Sequence, residues 1–292
     1  MKWLLIICTL LIGNSLWGQF YLNDIIGLKV SQEKYQLMRK NKIKKITANS
    51  IEADGSNTKG FLLSQELQTD GKKMVRRVLF RSLQTDGKKM VSTIANLSSP
   101  LEKITNIYEL SKLKRTFVNR ASIETKTEYS YNENGLLNKV VSTTIDSVQK
   151  TPISEIHLWQ YQANGLPSKM IKLTDGMDTV QVEFVADSTG LVIEEYWFKK
   201  GKKIESYYYY YSNNQLTDVV RFNLKANRLI PDYVYEYNQQ NQLINMIQVS
   251  FNGSAVVHWT YTYHANGLRE TETARDKEKN IIAKIIYNFE KQ

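Results

Sequence analysis

From Tyr129 to Leu268 aromatic and polar positions alternate along the chain, and short polar turns interrupt the alternation at regular intervals. Side chains two apart share a face of a strand. Tyr207/Tyr209/Tyr211, Tyr233/Tyr235/Tyr237 and Trp259/Tyr261/Tyr263 therefore each set three rings on one side. The positions between, including Glu128, Ser130, Gln160, Glu236, Thr260 and Thr262, are mostly polar and face the other way. After each turn the chain returns through aliphatic residues such as Leu136-Leu137, Leu166, Leu191-Val192-Ile193, Leu216 to Val220 and Leu243 to Ile247. These are natural cross-strand partners for the rings. The pattern predicts antiparallel hairpins with one aromatic face and one wet face.

The hairpins repeat one phrase. An aromatic, a spacer, usually a second aromatic and a polar turn ending near Gly-Leu recur as Tyr129–Leu136, Trp159–Leu166, Phe184–Leu191, Tyr209–Leu216, Tyr235–Leu243 and Tyr261–Leu268. The turn positions 135, 165, 190, 215, 242 and 267 lie 25 to 30 residues apart, a period that marks a stacked array of one supersecondary unit. Asn-Gly precedes the leucine in three copies, as a turn needing positive φ requires. Asp175-Gly176, Lys200-Gly201 and Asn252-Gly253 close the opposite hairpin ends. The expected fold is all-β, an extended antiparallel β-hairpin repeat array (a meander) with one short N-terminal helix.

That helix is placed over Ser31–Lys40, with Ser31 as N-cap and cations in the last turn. Strands follow over 46–51 and 61–67, with turns at Asp54-Gly55 and Asp70-Gly71. Leu101 to Leu113 carries the weakest pattern. A boundary near residue 120 separates an N-terminal capping region, 19–120, from the clear repeats, 121–292.

The phrase aromatic-x-Tyr-x-x-Asn-Gly-Leu, recurring over residues 121–292, resembles the YD-repeat (Rhs-type) family of bacterial surface and secreted proteins. The family's Tyr-Asp appears here as Tyr131-Asn132, Tyr161-Gln162, Tyr211-Ser212, Tyr237-Asn238 and Tyr263-His264, and the third copy carries Ala186 in place of the tyrosine. The resemblance implies an exported scaffold of β-hairpins.

Export has its own signal. Lys2 followed by the apolar run Trp3 to Ile12 reads as a signal peptide over 1–18, cut after Gly18 to leave Gln19 as the mature N-terminus. The run is short for a bilayer, and no later stretch is long and apolar enough for a transmembrane segment. The one cysteine, Cys8, falls in this leader, so disulfides, thiolate metal sites and cysteine nucleophiles are excluded from the mature chain. A secreted, periplasmic or cell-envelope location is expected.

The formal charge of +10 overstates the basic character. Leu67 to Val75 recurs without a change as Leu83 to Val91, around Arg76-Arg77-Val78-Leu79-Phe80-Arg81-Ser82, which resembles a translated short-read sequencing adapter. Diverged repeats and one perfect duplicate need different origins, so 76–91 is read as a sequencing artefact. Setting aside its surplus of four positive charges, together with Lys2, leaves +5. No nucleic-acid partner is expected.

Candidate chemistry is sparse. His157, His258 and His264 are not clustered with other ligands in the sequence. Glu194-Glu195, or Glu183 with Asp187, supply a carboxylate pair for a hydrolase, but read more simply as solvated sheet charges. No phosphate loop or nucleophile elbow occurs, and no cofactor is implied. The ring ladder carries the one binding reading: Trp159, Tyr161, Tyr209, Tyr211, Tyr235, Tyr237, Trp259, Tyr261 and Tyr263 as a stacking surface for polysaccharide or protein. The simpler reading is a repeat core. The expected function is a non-enzymatic structural or interaction protein; the alternative is a glycan-active or toxin-associated enzyme.

Overall fold

The computed structural model describes residues 19–68, 89–96, 99–148, 150–176, 178–223, 227–250 and 255–292. The expected signal peptide 1–18, the expected turns at Asp70-Gly71 and Asn252-Gly253, and residues 76–88 of the duplicated stretch lie outside them. Among the described residues the chain forms eighteen strands of one antiparallel sheet, from β1 (Ile43–Ile51) to β18 (Ile281–Lys291). Consecutive strands pair throughout, including β5 (Lys112–Arg120) with β6 (Ile123–Tyr131) across residue 120. β1 also pairs with β18, from Ile43 opposite Lys291 to Ile51 opposite Lys284. Each strand thus has two hydrogen-bonded neighbours, and no long row of unpaired backbone groups is offered to another chain. The expected all-β meander with an N-terminal helix is the fold observed.

The helix starts earlier than its sequence cap suggests. A wide π-type turn over Tyr21–Ile26 leads into α1 (Gly27–Lys40). Ser31 does not cap it, because its hydroxyl meets that of Tyr108 at 2.8 Å. Tyr21, Leu22, Ile25, Leu28, Tyr35 and Met38 join the core, and their three-to-four spacing makes one apolar stripe. The weakly patterned stretch 101–113 holds most of β4 (Ser99–Glu109) and the start of β5. Leu110 and Ser111 take φ of 47° and 65° at the tight turn joining them, a conformation usually marked by Asn or Gly, so this turn carries no residue signal.

One structural grammar underlies the repeats. Backbone N–H of the first turn residue bonds the carbonyl four residues on, and the N–H three residues on bonds back. This occurs from Asn132, Gln162, Asp187, Asn238 and His264, and also from Glu52 and Asp276 outside the six sequence copies. The register shifts just before the second aromatic position in all six copies: Ser130/Tyr131, Gln160/Tyr161, Val185/Ala186, Tyr210/Tyr211, Glu236/Tyr237 and Thr262/Tyr263. The extra residue lies each time on the returning strand, at Asn138, Ser168, Ile193, Thr217, Ile244 and Glu270, where a bulge raises the local twist. The Gly-Leu pair has a packing reason as well. A Cβ on Gly165 would meet Leu136 Cδ1 at 3.7 Å, and one on Gly190 would meet Leu166 Cδ2 at 3.4 Å. Leu136 and Leu166 therefore each pack beneath the glycine of the next repeat.

Candidate functional site

The predicted ring ladder lies on the side of the sheet that the helix covers. Trp159, Tyr209, Trp259 and Tyr261 are buried; Tyr161, Tyr211, Tyr235, Tyr237 and Tyr263 are half-buried. The rings make ordered contacts there: Trp159 stacks on Phe184 with centroids 5.1 Å apart, and Tyr233 on Tyr235 at 5.8 Å. The second aromatic of four copies, a tyrosine, uses its hydroxyl between repeats. Tyr131 donates to Leu113 O at 2.6 Å, Tyr161 to Leu137 O at 2.5 Å, Tyr211 to Val192 O at 2.9 Å and Tyr263 to Leu243 O at 2.7 Å. Trp259 Nε1 is buried with no partner among the described residues.

Polar clusters join the helical segment to this face. Glu195, in β11 (Val192–Lys199), is fully buried and accepts the backbone N–H groups of Phe20 at 2.8 Å and Tyr21 at 3.1 Å. Trp197 Nε1 donates to it at 2.6 Å and the Tyr209 hydroxyl at 2.5 Å. Burial raises the Glu195 pKa, and the four donors pull against that rise without cancelling it. Next along, Gln19 Nε2 donates to Asp232 Oδ2 at 2.6 Å, and Arg221 Nη2 to Asp232 Oδ1 at 3.2 Å.

His157, in β8 (Ile153–Tyr161), closes a third cluster. Its Nδ1 meets Asp24 Oδ2 at 2.5 Å and its Nε2 meets Glu155 Oε1 at 2.9 Å. Trp159 Nε1 donates to the same Asp24 oxygen at 3.0 Å. Burial opposes charge on the imidazole, but Asp24 and Glu155 outweigh it and push the pKa up to about 9. Both ring nitrogens are engaged and the residue is 4% exposed, the arrangement of a tether. Beyond it, Arg269 Nη1 and the Tyr287 hydroxyl both donate to Glu272 Oε1, at 2.5 and 2.9 Å.

One of these groups differs from its reading in the sequence. Glu195 is not a solvated sheet charge; it is 0% exposed, while neighbouring Glu194 faces away and accepts from the Tyr196 hydroxyl at 2.6 Å. The available signal was parity, since Glu195 falls in register between Phe184 and Tyr207 on the aromatic side. His157 gains Asp24 as a partner from 133 residues away, which no local pattern announces. Among the described residues no group of three His, Cys, Asp or Glu stands at metal-holding distance, and no helix is long and apolar enough to cross a membrane.

No protein-family profile and no curated protein matches the chain. Among solved structures it is similar to a porin-like protein from Bacteroides uniformis, with 9% identity and a TM-score of 0.39 over 85% of this chain and 98% of that one. The TcdB2-TccC3-Cdc42 complex aligns at 15% identity with a TM-score of 0.34, over 81% of this chain and 13% of that one. The Tc holotoxin pore of Photorhabdus luminescens aligns at 14% identity and 0.33, again over 81% and 13%. These likenesses are too loose to transfer a function.

Proposed function

We propose that this chain is an exported, non-enzymatic structural or interaction protein built from YD-like hairpin repeats, acting at the cell envelope or outside the cell with a protein or polysaccharide partner. The observation that supports it best is the shared grammar of the repeats, whose turn recurs in five of the six copies while the fourth turns tightly at Asn213-Asn214. Equivalent turns recur from Glu52 to Asp276, and the residues richest in chemistry, Glu195, Asp232, His157 and Glu272, are engaged in holding helix, sheet and repeats together. Short similar turns suit a scaffold, whereas an enzyme concentrates irregular loops around a reacting centre.

The test is fractionation of the native host with mass spectrometry of the recovered protein. The reading expects a mature N-terminus near Gln19, outside the cytoplasm, and partner capture without turnover on glycan substrates. Recovery of Met1 in an abundant cytoplasmic form overturns it.

A further inference from the structure

The side of the sheet away from the helix carries aromatic residues that the repeat pattern does not single out. Because Glu195 and Trp197 face the helix side, Tyr196 and Phe198 of β11 face away. In register across from them, on β10 (Asp178–Ala186), stand Glu183 opposite Tyr196 and Gln181 opposite Phe198. A groove of about 610 Å3 runs here, lined by Phe198, Gln181, Glu183, Asp178 and Lys200.

The groove's groups are held in place. Gln181 Nε2 donates to Glu183 Oε1 at 2.6 Å, setting an amide and a carboxylate side by side. Lys199 Nζ pairs with Asp178 Oδ2 at 2.8 Å at one end.

The charges favour one ligand class. Of the charged residues that line the groove, Asp178 is paired with Lys199, and Glu183 and Lys200 offset each other, so neither a polyanion nor a polycation finds a complementary field. What remains is aromatic surface beside an amide and a carboxylate, both good partners for hydroxyl groups. A sugar ring has an apolar C–H face and a rim of hydroxyls that match these two features.

We propose that this groove binds a neutral saccharide chain, with Phe198 as the stacking platform and Gln181 and Glu183 as hydroxyl partners. The assignment rests on the reading of the chain as an exported interaction protein and narrows its partner to a saccharide. The test is titration calorimetry of the whole mature protein against neutral glucan, xylan and mannan hexasaccharides, with an alginate hexamer as the anionic comparison.

At least one neutral hexasaccharide is expected to bind. Phe198→Ala weakens that binding by about 3- to 10-fold, the size set by loss of one ring contact, while Phe198→Tyr retains it. Gln181→Ala, on the exposed side of the sheet, gives a second weakening that does not depend on the aromatic variant folding. Absence of binding to every neutral hexasaccharide at millimolar concentration overturns the assignment. So does wild-type affinity in both Phe198→Ala and Gln181→Ala, or preference for alginate. A secreted, processed protein that binds no saccharide leaves the scaffold reading standing; an unprocessed cytoplasmic protein overturns that reading whatever the groove binds.

Discussion

The Tyr161 hydroxyl reaches back to the carbonyl of Leu137, 2.5 Å away in the preceding hairpin. The same reach recurs from Tyr131, Tyr211 and Tyr263. Neighbouring repeats are thus fastened by a side-chain bond as well as by strand ladders. Tyr161→Phe is expected to lower unfolding free energy in urea by about 1 to 2 kcal/mol, because a half-buried carbonyl loses its donor. Tyr211→Phe and Tyr263→Phe behave alike, whereas Tyr210→Phe, at 48% exposure, stays within about 0.5 kcal/mol of wild type.

Gly190 serves two needs at once: its φ is +89°, and Leu166 Cδ2 lies 3.4 Å from where a Cβ would stand. Gly190→Ala is expected to cost about 1 to 3 kcal/mol in thermal or urea unfolding, from backbone strain and a displaced leucine. Gly176→Ala meets no atom within 4 Å but keeps a φ of +72°. It isolates the backbone part, and a Gly190→Ala cost no larger than that of Gly176→Ala refutes the packing role.

The His157 tether gives stability a defined pH dependence. Its folded pKa is raised to about 9 by Asp24 and Glu155 against the opposing effect of burial. Its contribution is therefore complete below the ordinary histidine value of about 6.5 and is lost as pH rises through about 9. Wild type is expected to lose on the order of 2 kcal/mol over that window, a loss absent from His157→Gln. Parallel slopes for the two proteins between pH 6.5 and 9.5 refute this assignment.

The duplicated stretch makes a prediction about the gene. Leu67 pairs with Met90 and Gln68 with Lys89, so the sheet joins the first copy to the end of the second. Deleting 76–91 hands those places to Met74 and Lys73, with Thr69 to Lys72 as a short turn. The connection shrinks from 20 residues to 4, which favours folding by roughly 1 kcal/mol in loop closure. The deleted protein is expected to match or exceed the full chain in melting temperature, and a long read of the native gene to lack these codons. An uninterrupted read containing all of them overturns the artefact reading.

Local physics made the hairpins legible. The period of two set Tyr209 and Trp259 on one side, and the need for positive φ placed turns at Gly135, Gly165 and Gly267. These features depend on neighbours a few residues away, so a single sequence contains them. Only the tertiary structure decided what covers the aromatic side. Helix residues Phe20 and Tyr21 reach Glu195 across 175 and 174 positions, and β1 meets β18 from the far end of the chain. The same long-range assembly turned Glu195 from a surface acid into a buried acceptor and left Tyr196 and Phe198 facing away from the helix. Burial depends on which distant surfaces meet, and no local periodicity encodes that.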